Sequence, residues 1–421
     1  MDWDDSAELA AFRERIRTFF EDNLPDRYKR AAAGEWMRQM IPAPDGEPMY
    51  FDEPSWDHDR LSTDPDARAA SREWADALAA EGLVAPAWAK EHGGAGLSTL
   101  EQFVFNEERE RAGAPRVGGT GAMFLGSLLM VYGSAEQQAK YMPAIANGDI
   151  QWAQGYSEPG AGSDLGSLQL RAQRDGDEYV LNGQKIWSTP QTADSMYALV
   201  RTDPDAPKHK GISFLMIEDF HIDGITMRPI ENAVFDHSSF GETFFDDARV
   251  PAENRIGEEN SGWYVAMTLM DFDRASISNT AEDRSLLGDL KEFLETPEGA
   301  AKSRLAESAT IRAELTDRAI EIEVGYNLSL RLASLQAKGL IPNYEASIGQ
   351  VFSKALNQRM ARTGTVIFGL YSNLWPGDER APMTGEFTRS YVRTIPSTIA
   401  GGSAEIQRNV IATRGLGLPR G

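Results

Sequence analysis

Two segments constrain this chain more than any others: Gln154-Gly-Tyr-Ser-Glu-Pro-Gly-Ala-Gly-Ser-Asp164 and, further on, Leu181-Asn-Gly-Gln-Lys-Ile-Trp-Ser-Thr189. The first is too rich in Gly, Ser and Pro for a helix or strand interior. It reads as a loop that brings backbone N–H groups and hydroxyls up to a polar ligand. The second reads as a short strand ending in an indole and two hydroxyls. Between them, Asp175-Gly176 is a two-residue hairpin signal. Hairpin geometry folds the loop and the Trp-Ser-Thr end into one region. A planar aromatic beside hydroxyls and free amides suits a flat heterocycle bearing phosphates.

The flanking sequence is of a different kind. A chain of 421 residues exceeds a single core and implies two or three domains. Residues 1–150 read as helical. Leu9, Phe12, Ile16 and Phe19 recur at helical spacing, a second helix covers 66–80, and Ser98-Thr-Leu-Glu101 is a capping box. The Pro-rich stretch 41–56 reads as a surface loop. Across 151–257 the pattern changes to short β-prone runs at 179–181, 196–200, 212–217 and 243–245, which implies a small antiparallel β domain or barrel. Residues 258–421 return to helix. Ile311, Leu315, Ala319, Ile322 and Tyr326 line one face, and a second long helix spans about residues 345–371.

Composition narrows the function. Cysteine is absent, so disulfides, thiolate catalysis and Cys-ligated metals are excluded, and none of the five His has metal-ligand spacing. A net charge of −22 argues against nucleic acid or an anionic membrane surface as the main partner. No apolar run reaches membrane-spanning length and the N-terminus is acidic, so a cytoplasmic protein is expected. No Gly-x-Gly-x-x-Gly strand–helix unit is visible, which disfavours a Rossmann-bound nicotinamide.

Four motifs stand in order along nearly the whole chain: Pro86-Ala-Trp-Ala-Lys-Glu-His-Gly-Gly-Ala-Gly96, the Ser-Glu-Pro loop with its Trp-Ser-Thr strand, Phe244-Phe-Asp-Asp-Ala-Arg-Val-Pro-Ala-Glu-Asn254, and Ile399-Ala-Gly-Gly-Ser-Ala-Glu-Ile-Gln-Arg-Asn409. In these the chain resembles the acyl-CoA dehydrogenase family. It looks most like a bacterial branch that includes steroid side-chain dehydrogenases, some built from two different subunits. The resemblance implies an α+β multidomain fold: an N-terminal helical domain, a central antiparallel β domain and a C-terminal four-helix bundle. It also implies FAD as cofactor, desaturation of an acyl-CoA to the trans-2-enoyl-CoA, an electron-transfer flavoprotein as reoxidant, and a homo- or hetero-oligomer with a related subunit. By the same resemblance, Gln154, Tyr156 and Ser157 contact the isoalloxazine, and Trp187, Ser188 and Thr189 line its other face or edge. Ser163 touches the CoA ester. Gly401, Gly402 and Ser403, with Glu405 in the same motif, reach the dinucleotide from a neighbouring subunit. Ser403 is in addition a natural N-cap.

Two departures matter. Many family members carry a catalytic Glu where this chain has Gly401. Others place it before an Arg on the first helix after the β domain, where this chain has Asp273-Arg274. Asp273 is therefore the expected base, with a reach shorter by one methylene, and Arg274 the expected contact to the CoA phosphates. The family's Arg-x-x-Phe-Gly sequence, whose Arg meets the pyrophosphate, is missing, and Arg284 is a poor substitute. This chain alone is then expected to hold less than one FAD. Two other readings stay open: a non-catalytic or half-site partner subunit, and a flavin oxidase or monooxygenase of the same fold.

Overall fold

A computed structural model describes residues 5–29, 39–42, 48–52, 54–220, 222–233, 240–273 and 278–419; side chains at 39–52, 269–273 and 278–280 lie outside that description. The helices are α1 (Ala7–Asn23), α2 (Trp56–Asp59), α3 (Pro65–Ala80), α4 (Thr99–Ala112), α5 (Gly126–Tyr132), α6 (Ala135–Ala146), α7 (Gly262–Asp273), α8 (Ser278–Glu295), α9 (Pro297–Lys302), α10 (Ala309–Ala337), α11 (Tyr344–Phe368), α12 (Glu386–Ser397) and α13 (Ala404–Val410). The strands are β1 (Gln39–Pro42), β2 (Pro48–Asp52), β3 (Trp152–Gly155), β4 (Arg171–Asp175), β5 (Glu178–Ser188), β6 (Ser195–Arg201), β7 (Ile212–Ile217), β8 (Ile225–Pro229), β9 (Gly241–Pro251) and β10 (Arg255–Ile256). The chain forms two compact units, and both are discontinuous in sequence.

One unit comprises Ser55–Leu97 and Arg116–Asp273. Its sheet runs β10-β7-β6-β4-β5-β9-β8, with β3 beside β6. Every residue of β7 is buried, as is all of β6 but its last, because both faces of these central strands are covered. Leu181, Met196, Ala198, Leu215, Phe245 and Val250 lie in one core cluster; burying each large side chain there contributes roughly 1.5–3 kcal/mol. The antiparallel expectation holds for most ladders, but β3 pairs with β6 in parallel, setting Gln154 opposite Tyr197. The β4–β5 turn is also displaced by one residue from the sequence signal. Asp175 pairs with Glu178, so Gly176-Asp177 are the central residues. Gly176 carries the positive φ of 59°, which a glycine adopts without steric cost.

The other unit comprises Met1–Pro54, Ser98–Pro115 and Arg274–Gly421. The capping box at Ser98 and Glu101 starts α4 as expected. Helix α1 buries Phe12, Ile16 and Phe20. Phe20, not Phe19, continues the i, i+4 stripe, and it stacks on Phe105 at 5.8 Å. Of the stretch 41–56, expected as a surface loop, residues 41–42 and 48–52 lie instead in strands β1 and β2, which pair antiparallel; β-branched and aromatic residues at 41, 50 and 51 outweigh the prolines at 42 and 48. Leu290, Phe293, Ile311, Met360, Ile367 and Phe387, from α8, α10, α11 and α12, form the core of the helical bundle. The charged side of α1 is tied to α4, with Arg13 donating to Glu108 at 2.8 Å and to Glu107 at 3.0 Å. No described helix is long and apolar enough to cross a membrane.

Candidate functional site

The loop that follows β3 has little regular structure. Its start is set by the parallel pairing with β6: Gln154 is half-buried and donates from Nε2 to Tyr197 Oη at 3.3 Å. Tyr156 turns inward. Its ring packs edge-on to Tyr197 at 6.1 Å and to Phe214 at 6.3 Å, and its hydroxyl has no protein partner. Burial, then the neighbouring Tyr197, pushes that hydroxyl's pKa far up, so it stays a neutral donor. Ser157 O accepts from Ile186 N at 3.0 Å, which joins the loop to the strand β5 that carries Trp187. Ser163 is exposed. Asp164 next to it takes a hydrogen bond and an ion pair from Lys208, which hold its carboxylate below the usual range.

Strand β5 ends in a bulge. Ile186 pairs with Glu242 and Ser188 with Gly241, so Trp187 is the extra residue. Its φ is 66°, in the left-handed region that a bulky side chain rarely adopts. The bulge turns the indole outward, 57% exposed and edge-on to Phe240 at 5.8 Å, and sends Ser188 inward, with a buried Oγ that has no protein partner. Thr189 is exposed just after it. Bulges beside functional sites re-aim side chains in this way, and backbone strain persists where the surroundings over-determine it. Ideal Cβ atoms on Gly160 and Gly162 would meet nothing within 4 Å, so the loop's backbone is open to a ligand. An outward indole, an orphaned buried hydroxyl and an open glycine backbone fit a flat polar heterocycle.

The sequence reading left Glu158 and Lys185 without a role. Lys185 Nζ donates to Tyr156 O at 3.0 Å and to Glu158 Oε1 at 2.8 Å, and the Lys185 side chain is fully buried. Burial pushes its ammonium down to about 8, against the opposing pull of Glu158. The signal was available: Tyr179, Leu181 and Lys185 share the inward register of β5, so a lysine there requires a buried carboxylate. Arg201 holds the far side of the loop, donating to Gly166 O at 2.8 Å and Leu168 O at 3.0 Å.

The remaining expected residues lie in or next to the other unit. Gly401 and Gly402 have φ of 61° and 94° and lead into α13, where Ser403 Oγ accepts from Ile406 N at 3.4 Å. Glu405 is exposed, and its own main-chain N–H and the Ser403 side chain hold its carboxylate low, which suits a helix-start carboxylate rather than a base. Gln407 secures the glycine turn, accepting from Ser347 Oγ at 2.7 Å and donating to Gln350 Oε1 at 2.9 Å and Gly401 O at 3.2 Å. Arg284 is committed within its own unit. It donates to Glu323 at 2.7 and 2.8 Å and lies over the Tyr326 ring at 3.6 Å. Asp273 is the last residue of α7, its side chain outside the described residues, and Arg274 lies wholly outside them.

Known proteins match this arrangement along its length. The acyl-CoA dehydrogenase N-terminal, middle and C-terminal domain models match residues 58–149, 153–248 and 260–416. The chain is 33% identical over 416 residues to acyl-CoA dehydrogenase IpdE1 of Mycobacterium tuberculosis, covering 98% of both proteins. Among solved structures it is similar to the Tcur3481-Tcur3483 steroid ACAD, with TM-score 0.82 and 30% identity, and to the ChsE4-ChsE5 complex of Mycobacterium tuberculosis, with TM-score 0.81 and 30% identity; each match covers 100% of both chains. With three domain models matched in order and a relative matched end to end, the chain belongs to the acyl-CoA dehydrogenase family.

Proposed function

We propose that this chain is a subunit of an FAD-dependent acyl-CoA dehydrogenase that desaturates an acyl-CoA between its α and β carbons. The observation that carries this reading is the junction of the two motifs: Ile186 N bonded to Ser157 O, with Trp187 turned out by a bulge beside the unpartnered Ser188 Oγ. The main-chain groups of 156–157 and the side chains of Gln154, Trp187, Ser188 and Thr189 hold the ring system. Ser163 meets the thioester end of the substrate and Arg274 its phosphates. Bound FAD supplies the two-electron hydride acceptor that no side chain provides. Asp273 would take the α-proton, and loss of the β-hydride to that acceptor would give the trans-2-enoyl-CoA. Replacing Asp273 by Asn lowers turnover about 10²- to 10⁴-fold, the usual worth of a positioned base; unchanged turnover removes the assignment.

The substrate class is a steroid-type acyl-CoA, as for the similar Tcur3481-Tcur3483 steroid ACAD. The enzyme works in the cytoplasm, in a complex with a related subunit, and passes its electrons to an electron-transfer flavoprotein. Domain boundaries near residues 150 and 257 go with this reading. The test is co-purification with its partner, flavin quantitation, and anaerobic bleaching by a panel of steroid and straight-chain acyl-CoAs. Bleaching by straight chains alone rejects the steroid class, and no bleaching rejects the dehydrogenase reading.

A half-site reading is favoured by one observation. Arg284, nearest to the missing pyrophosphate arginine, is taken by Glu323 and Tyr326. The chain purified alone then carries less than one FAD per subunit; full occupancy rejects this.

A further inference from the structure

Residues 156–164 lack a strand ladder, yet a ligand needs their amides and hydroxyls in fixed places. One ammonium organises them. Lys185 Nζ reaches Tyr156 O and Glu158 Oε1. Glu158 in turn accepts from Gln169 N at 2.6 Å and Leu170 N at 2.8 Å. The two ends of the 156–170 excursion therefore meet at one buried ion pair. Between them, Glu158 and Ala161 exchange main-chain hydrogen bonds at 3.0 and 3.1 Å, closing the Pro159-Gly160 turn. Lys185 also stands two residues before Trp187, on the strand whose bulge aims the indole.

We propose that Lys185 and Glu158 are positioning residues that hold the 156–163 loop and the Trp187 bulge in one register for the cofactor, an inference that rests on the flavin reading above. Neither side chain presents itself to a ligand, since both are buried; they act through Tyr156 O, the loop amides and β5. A buried ion pair is a weak source of net stability, because desolvation offsets the attraction. What it supplies is geometry, since the ammonium is satisfied only when the Tyr156 carbonyl and the Glu158 carboxylate are both in place.

The test uses the full chain with its co-purifying subunit and three variants: Lys185→Met, Glu158→Gln and the double variant. The double variant buries no lone charge and keeps one carbonyl oxygen where the carboxylate had two, an acceptor for Gln169 N or Leu170 N but not both. Its thermal midpoint should recover much of what the single Lys185→Met variant loses. Its flavin affinity should stay roughly tenfold weaker, the worth of about one well-placed hydrogen bond. The visible circular dichroism of the bound flavin should change, and protease should cut 157–164 faster in the flavin-free double variant. A double variant with parental affinity, spectrum and cleavage rate overturns the proposal and leaves the pair a structural filler. If the parent binds no flavin in any assembly, the flavin reading itself fails and the cofactor role falls with it. Flavin-free cleavage then decides separately whether the pair orders the loop.

Discussion

Residues 156–170 and residues 399–418 are both irregular or short-helical, both rich in glycine, and both carry family motifs, yet they are held in different ways. The first closes on a buried ion pair, with Lys185 and Ser188 out of solvent. The second is held by exposed and half-buried hydrogen bonds, Lys354 Nζ to Ala400 O at 2.6 Å and those of Gln407. Its apolar side chains stay in solvent, with Ile399 65%, Leu416 71% and Leu418 52% exposed. The first region is fixed by its own chain. The second carries exposed apolar surface, of the kind that marks interaction sites. Charge burial makes the difference: an ammonium without its carboxylate is untenable in a core, whereas a neutral amide at the surface exchanges its partners for water at little cost.

Four substitutions sharpen or break this contrast. The largest effect belongs to Lys185→Met alone, which leaves Glu158 buried without its countercharge and should destabilise by about 3–5 kcal/mol. Thermal or urea unfolding measures it; a loss no larger than that from Gln407→Ala would erase the contrast.

Asp283 comes next, and its effect has the opposite sign. It is buried on α8, receives Asn357 Nδ2 at 3.2 Å, and its Oδ2 has no protein partner. Burial, then Glu282, pushes its carboxyl up to about 8 from the ordinary 3.8. Between those values the folded chain keeps a proton that the unfolded chain has released. This buried acid therefore costs least stability below about pH 4, costs more as pH rises, and its effect levels off above about pH 8. Asp283→Asn keeps the acceptor for Asn357 and removes that slope. It should stabilise by about 1–3 kcal/mol at pH 8 and by less at pH 5; a pH-independent gain would contradict the buried-acid account.

Gln407→Ala removes the bonds to Ser347, Gln350 and Gly401 and should cost about 1 kcal/mol, since surface water replaces part of them. Its clearer readout is flavin retention on gel filtration, which should fall without a matching loss of helix signal. Glu405→Gln should change stability by less than about 0.5 kcal/mol, because the carboxylate is exposed and its helix is short; a large loss of turnover in that variant would make Glu405 a candidate base in place of Asp273.

Much of the fold was legible because its signals are local. The Ser98 capping box, the helical stripes on α1 and α10 and the continuous apolar runs of β6 and β7 each follow from residues a few positions apart. Errors fell where a second influence competed. The stripe on α1 passes to Phe20 because packing against Phe105 selects the i+4 position. The turn after β4 moves by one residue because register with β5 places the glycine first. The pairing of β1 with β2 was hidden by Pro42 and Pro48.

By itself the sequence determined the family, the helical–β–helical order and the two segments that matter, because motif order and periodicity are written along the chain. Only the tertiary structure decided that Trp187 is turned out by a left-handed bulge, that the ring of Tyr156 is buried, and that Lys185 bonds to the Ser-Glu-Pro loop. Each of these depends on partners distant in sequence: Glu242 and Gly241 across β9, Tyr197 across a parallel ladder, and Glu158 on the far side of a hairpin. Periodicity carries no record of which distant groups share a low-dielectric interior, and that sharing is what fixes the loop.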